Sequence, residues 1–395
     1  MGRALGPYQY GIFGSLFAIS YIIYVLTNTI QTGSARFISK FIGENKKEMI
    51  SVFSKGLLKR MFVLGISIFV ILVILSNPIT IYLKIDSITP VIVLASIFIF
   101  STLLPVNLGI IQGLEKFFSL GINMILSFSA KLIFGILLVM IGFGVNGAIS
   151  GVVIGFIVAL IFSYFPIRNY LHQNSKNKNK FNFSELYVYS FPTMIAMFCF
   201  SVPANMDVIL AKHFFESNTA GIYTAATVLG KIILFVPGAI AIVMFPKISR
   251  LHAEKKDTNY VLNISLIYTA VLSGAMALGY WFFPNLAITI PYGIEYLDAI
   301  PVLRLYGIAM FFFSLTVVIM RYTLAISHVK YVYLLVMFTL IEIGLLYLFH
   351  TTILIMAQII LIVNFLLFIS SYIYLLVLKK YIKVNPTQVS PIEIK

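Results

Sequence analysis

Long apolar runs alternate with short polar stretches along the chain, and the apolar runs show no period-two alternation. Eleven of them are about as long as a helix needs to cross the hydrocarbon of a bilayer: 10–31, 61–83, 88–111, 120–142, 145–167, 186–211, 219–245, 260–283, 300–320, 330–350 and 353–378. Outward-facing barrel strands would alternate apolar and polar residues. The pattern therefore predicts an all-α integral membrane protein of about eleven transmembrane helices. Composition agrees, with 60% hydrophobic and 10% charged residues, against about 25% charged in an ordinary soluble domain.

Charge placement adds an orientation. The connection from Arg36 to Arg60 holds seven basic residues, the next holds only Lys84, and the asymmetry alternates to the end of the chain. One side of the membrane collects 22 of the 28 Lys and Arg residues and the other collects 4, namely Arg3, Lys84, Lys212 and Arg304. The positive-inside rule makes the rich side cytoplasmic and predicts a cytoplasmic C-terminus in a cell-membrane protein. A net charge of +15 is thus a topology signal, and nucleic acid is not an expected partner.

The chain repeats itself. YGIFGSLFAIS followed one span later by RFISKFIGENKKE parallels AGIYTAATVLG followed by MFPKISRLHAEKKD. Gly11-Ile12 maps to Gly221-Ile222 at an offset of 210. Two lobes are expected: residues 1–171 with five helices, a cytoplasmic linker at 172–185, a second lobe at 186–383 with six helices, and a tail at 384–395. Run backwards, the offset places the counterpart of span 186–211 before residue 1, as in a twelve-helix plan without its first helix. An even number of helices per repeat gives both lobes the same orientation.

RALGPYQYGIFGSL, IIQGLEKFFSLGINMI and MDVILAKHFFESNTAGIYTAA resemble the polysaccharide-export flippases. Those proteins belong to the multidrug/oligosaccharidyl-lipid/polysaccharide (MOP) superfamily, which also contains the MATE drug exporters. The resemblance implies a two-lobed, MATE-like transporter that moves lipid-linked saccharides from inner to outer leaflet by alternating access. It implies lipid-linked saccharide as substrate, with membrane lipids and other glycan-assembly membrane proteins as partners. A cation-coupled drug exporter and a membrane glycan polymerase are the alternatives.

Charged groups within spans are the candidate functional residues, because each costs about 2.5–3.5 kcal/mol at the bilayer centre. Lys131 and Lys231 lie mid-span in different lobes, about 16–18 Å from the outer ends at 1.5 Å per residue, and could hold a phosphate. Arg36, Asn28 and Asn205 are further substrate-binding candidates. Asp207 and Glu342 are candidates for a coupling proton or cation. A plainer reading pairs Asp207 with Lys231, or Lys131 with Glu342, which the repeat equates. Pro105, Pro192, Pro203 and Pro237 fall inside spans, where proline removes a backbone hydrogen bond and permits a kink. Gly147, Gly151 and Gly155 share one helix face and predict a close-packed seam. No GxxxxGK[ST] loop, metal-ligand spacing or Ser/His/Asp constellation is present, so neither an enzyme nor a cofactor is expected. A lone Cys199 rules out a disulfide framework.

Overall fold

The computed structural model describes residues 1–44, 46–171, 181–254, 256–326, 328 and 330–384. Seventeen α-helices are present among the described residues. The first nine are α1 (Gly2–Gly43), α2 (Lys47–Ile74), α3 (Ser76–Tyr82), α4 (Thr89–Ser101), α5 (Leu104–Gly113), α6 (Phe117–Leu138), α7 (Gly144–Tyr164), α8 (Arg168–Leu171) and α9 (Ser184–Ser201). Then follow α10 (Pro203–Phe214), α11 (Ser217–Lys231), α12 (Phe235–Ala253), α13 (Asn259–Phe282), α14 (Pro284–Thr289), α15 (Ile300–Ala325), α16 (Tyr331–Leu348) and α17 (Ile353–Val384). Among the described residues no strand is present, as hydrocarbon demands: a helix satisfies its own backbone groups and an open sheet edge cannot.

Nine helical stretches among the described residues are long and apolar enough to cross a membrane. One of them, Phe117–Tyr164, is 48 residues long and holds two predicted spans. It turns at Val139–Phe143, where Gly142 (φ 101°) and Gly144 (φ 50°) take up left-handed backbone that glycine adopts without steric penalty. The remaining predicted span, 186–211, is helical in two pieces, α9 and α10. The eleven predicted spans are all helical.

Three of the four predicted prolines sit at helix breaks, and Pro192 lies within α9 without interrupting it. Pro105 lies in the first turn of α5 and Pro203 begins α10. Pro237 follows the 3₁₀ turn Ile232–Leu234 that separates α11 from α12. Near the start of the chain, Gly6 (φ 68°) interrupts α1 just before Pro7.

The chain packs as two compact units. Residues Met1–Ser201 with Phe215–Gly221 form unit 1; Val202–Phe214 and the described residues from Ile222 onward form unit 2. The packing boundary therefore falls at Ser201, not in the predicted 172–185 linker. The cause is visible in the aromatic residues just before α9. Phe181 and Phe183 stack within 5.0–5.8 Å of Phe53 in α2, and Phe181 meets Phe37 and Phe41 of α1. The Ser201 hydroxyl donates to the Tyr21 carbonyl at 3.3 Å, so both ends of α9 are tied to unit 1. Of the predicted linker, residues 172–180 lie outside the described residues, and the part from Phe181 is packed rather than solvated.

Inside unit 1, α6 and α7 form an antiparallel pair that fulfils the predicted glycine seam. A Cβ on Gly151 would overlap the backbone of Gly135. Asn123 Nδ2 donates to the Ala159 carbonyl at 2.7 Å along the same interface. Within lipid, close van der Waals approach and such hydrogen bonds take over from the hydrophobic effect in joining helices. The glycines equated by the repeat also meet in unit 1: a Cβ on Gly11 would lie 2.8 Å from the Gly221 nitrogen.

Gly151→Leu is expected to destabilise the protein by about 1–3 kcal/mol through overpacking. Gly279→Leu, in a position with nothing within 4 Å, is expected to leave the melting temperature nearly unchanged. Thermal unfolding of both variants in the same detergent checks the pair.

Candidate functional site

Unit 2 gathers one buried polar cluster from four helices. Asp207 lies in the second turn of α10 and is fully buried. Its Oδ2 accepts hydrogen bonds from the Tyr306 hydroxyl of α15 at 2.9 Å and the Tyr223 hydroxyl of α11 at 3.3 Å. Its Oδ1 lies 3.6 Å from Lys231 Nζ. The two tyrosine rings meet edge to face, with centroids 6.4 Å apart and planes at 86°. Glu342 of α16 is buried and within electrostatic reach of both Asp207 and Lys231.

Local sequence explains how Lys231 comes to be there. It is the last residue of α11, where the helix tightens into a 3₁₀ turn ahead of Pro237. The Tyr280 hydroxyl donates to the Leu229 carbonyl at 2.8 Å, a partner for a carbonyl beside the break. Gly230 leaves room for Tyr306: a Cβ there would stand 2.5 Å from the tyrosine ring. The Lys231 side chain retains 19% exposure while Asp207 has none.

Two carboxylates and one ammonium do not cancel when all are ionised. Uncompensated charge in a low-dielectric site costs several kcal/mol, so the cluster is suited to take one proton or one small cation. Among the described residues no group of three or more His, Cys, Asp and Glu side chains is arranged to hold a metal ion.

Unit 1 holds a site of opposite character. Lys131 on α6 has its Nζ 3.9 Å from the centroid of Phe156 and 5.4 Å from that of Phe128. Tyr24 of α1 continues the aromatic surface, 5.9 Å from Phe156. No ion pair joins Lys131 to a described residue. Its ammonium rests on ring faces, whose negative quadrupole offsets part of the desolvation. A Cβ on Gly155 would collide with the Lys131 side chain, so the glycine seam also makes the space the lysine occupies.

The other predicted residues divide plainly. Arg36 is exposed on α1, and Asn205 is half-buried on α10 two residues before Asp207; each has interaction partners of its own. Asn28 lies on α1 one turn beyond Tyr24, and its side chain lies outside the described residues. Lys131 belongs to unit 1 and Glu342 to unit 2. The pairing of Asp207 with Lys231, within unit 2, is present. Lys212, counted with the outer connections, is fully buried in the last turn of α10, where a cation suits the helix dipole.

Sequence reasoning missed Tyr223, Tyr306, Phe156 and Tyr24. Tyr223 sits in AGIYTAA, 16 residues after Asp207, but one tyrosine among 23 carries no mark of its partner. Only the α10, α11 and α15 packing identifies it.

The fold has known relatives. A MATE-family multidrug-resistance transporter of the MOP superfamily, in its inward-facing conformation, superposes with a TM-score of 0.80 over 96% of this chain and 93% of that one, at 16% identity. An outward-facing structure of such a transporter gives 0.65 over 94% and 88%, at 17% identity. A MOP transporter from Pyrococcus furiosus, described by a binding pocket of reversed polarity that suggests a different function, gives 0.61 over 94% and 88%, at 18% identity. The class is therefore a multi-pass membrane protein with the MOP transporter fold. The profile of the family described as Polysaccharide biosynthesis protein matches residues 1–252, and the chain belongs to that family. An uncharacterized membrane protein of Methanocaldococcus jannaschii is 23% identical over 253 residues, which cover 61% of this chain and only 60% of that relative's length.

Removing one partner of a buried pair leaves the other uncompensated, which costs about 3–5 kcal/mol. Asp207→Ala is expected to lose about that much stability, and Tyr306→Phe about 1–2 kcal/mol. Asp207→Ala combined with Lys231→Met is expected to lose less than the two single changes added together. Denaturant unfolding of the singles and the double in detergent reads the coupling directly.

Proposed function

We propose that the protein is a flippase that moves lipid-linked oligosaccharide from the inner to the outer leaflet by alternating access. The observation that carries this reading is Lys131. A mid-span ammonium with aromatic faces and no described acidic neighbour suits a phosphate joined to a sugar. The ammonium meets the phosphate charge, and ring faces pack against the apolar faces of sugar rings. Membership of the polysaccharide biosynthesis family supports the same cargo class. The exposed Arg36, the half-buried Asn205 and Asn28 are secondary candidates.

The unit 2 cluster supplies the second half of the reading. Asp207 and Glu342, with Tyr223 and Tyr306 as donors, are the coupling site for one proton or one small cation. Lys231 is the tethered counter-ion of Asp207, and its partly exposed side chain is a second candidate contact for a cargo phosphate. Orientation follows from the 22-to-4 distribution of basic residues, which puts the C-terminus in the cytoplasm of a cell-membrane protein. Catalysis has no part in this reading: the cargo is translocated unchanged.

The test uses cells deleted for the gene and complemented with wild type, Lys131→Ala or Lys131→Arg. Lipid-linked glycans are extracted, and their leaflet is read by access of a membrane-impermeant reagent to intact cells. Complete carriers are expected to build up on the cytoplasmic side in the deletion. Wild type is expected to relieve the build-up, and Lys131→Ala to reduce export at least about tenfold, the loss of one charge-assisted contact worth about 1.5–3 kcal/mol, at unchanged membrane abundance. Lys131→Arg keeps the charge and is expected to recover part of it. Outward-facing complete carriers in the deletion would sink the flippase reading in favour of a drug exporter. Outward-facing unpolymerised units would point to a glycan polymerase.

A further inference from the structure

Near its C-terminal end, α15 carries an arginine that the fold leaves without a counter-charge. Arg321 lies one turn before the last residue of α15, Ala325. It is half-buried and makes no ion pair with a described residue. Of its guanidinium nitrogens only Nε is buried, and that atom has no hydrogen-bond partner among the described residues. The terminal nitrogens are thus the open end of the group. The acids described near this end of unit 2 are engaged elsewhere: Glu254 pairs with Arg250 and Lys256, and Asp257 accepts from Asn259. A charge within a membrane helix is costly, and it marks a ligand path by default.

The repeat shows that packing does not demand this arginine. Ser39 of α1 donates to the Gly113 carbonyl of α5 at 3.2 Å, and Ser249 of α12 donates to the Ala325 carbonyl of α15 at 3.3 Å. Just beyond, the Lys116 amide donates to the Ile111 carbonyl at 3.1 Å and the His328 amide to the Thr323 carbonyl at 2.8 Å. Both pairs equate α5 with α15 at an offset of 212, which makes Gly109 the counterpart of Arg321. In unit 1 that position is closed: a Cβ on Gly109 would stand 2.6 Å from the Gln31 carbonyl oxygen and 2.6 Å from the Ser34 Cβ. In unit 2 the same position holds a whole arginine side chain.

Arg321 also shares a face of α15 with the unit 2 cluster. It follows Tyr306, a donor to Asp207, by 15 residues, which at about 100° per residue is about four turns and a further 60° or so. Met310, Phe313 and Val317 lie on the strip between them, and all are buried. The strip therefore faces protein, unlike the lipid-facing surface from which an arginine snorkels to headgroups. Along the axis Arg321 stands about 22 Å from Tyr306, at about 1.5 Å per residue.

We propose that Arg321 is the cytoplasmic-side contact for the phosphate of the lipid-linked cargo, engaged before the mid-span lysines. This rests on the flippase reading and on the orientation given with it. A guanidinium presents a planar fork of N–H groups to two phosphate oxygens at once, which an ammonium does not. The cargo supplies the counter-charge that the fold withholds.

Native mass spectrometry of the full-length protein in detergent, with decaprenyl phosphate, decaprenol or phosphatidylglycerol added, tests it. Wild type is expected to retain decaprenyl phosphate in preference to the other two. Arg321→Gln is expected to weaken that retention at least about tenfold, the loss of one charge-assisted contact, and to leave decaprenol retention as it was. Arg321→Lys is expected to recover part of the loss. Lys330→Ala, at an exposed cation just ahead of α16, is expected to bind as wild type does. The melting temperature of Arg321→Gln is expected to equal or exceed that of wild type, because no described partner is lost; a clear fall would mark a structural arginine and overturn the proposal. Full retention by Arg321→Gln, with Lys131→Ala losing the phosphate lipid, would overturn this contact and leave the flippase reading in place. Phosphatidylglycerol retained as well as decaprenyl phosphate, and weakened alike by Arg321→Gln, would make this a contact for bulk phospholipid and overturn it too. Equal retention of decaprenyl phosphate and decaprenol by wild type would count against both readings.

Discussion

A charge in hydrocarbon must find a partner, and the placement of polar groups in this protein follows from that constraint. Two lysines lie mid-span, and the fold settles each differently. Lys231 has a carboxylate 3.6 Å away, itself held by two tyrosine hydroxyls. Lys131 has ring faces instead, the nearer at 3.9 Å. The first arrangement binds its charge tightly inside a polar network. The second leaves the charge available, because a quadrupole offsets only part of what a full anion would.

Packing between helices determines where those lysines end up. In lipid, helices associate through close contact and interhelical hydrogen bonds. On α6 and α7 this takes the form of one continuous strip. Asn123 reaches the Ala159 carbonyl, Gly151 abuts Gly135, and Gly155 opens the space taken by Lys131. The same strip that joins the helices therefore aims the lysine toward Phe156 and Tyr24. In unit 2 the equivalent service comes from the break after Lys231, which frees the end of α11 to present its ammonium to α10.

Much of the fold was legible because the bilayer imposes a simple code. Span length, basic asymmetry and the internal repeat are all one-dimensional signals, and each apolar run became helix. Proline positions foretold three helix breaks for the same reason: the missing N–H acts locally. The unit boundary was not legible. Asn- and Lys-rich residues suggested a linker to 185, but Phe181 and Phe183 belong to an aromatic cluster whose other members lie more than a hundred residues earlier. At the site, charge betrayed Asp207, Lys231, Lys131 and Glu342, since any charge in a span is conspicuous. Tyr223 and Tyr306 stayed hidden, because a tyrosine in an apolar helix looks like ordinary packing until its hydroxyl is seen to point at a carboxylate.

The repeat gives the two sites a common logic. Adding its offset of about 210 to Lys131 leads to within a residue of Glu342, so the corresponding stretch of a duplicated helix carries a base in one copy and an acid in the other. Duplication supplies two scaffolds with the same packing rules, and neither scaffold requires a charge there, because the surrounding helix is apolar in both. Divergence to opposite signs is therefore a difference in chemistry rather than in folding. A basic, aromatic site fits an anionic glycan carrier; an acidic, hydroxyl-lined site fits a proton or a small cation. Opposite signs in the two repeats let each site be tuned without disturbing the other.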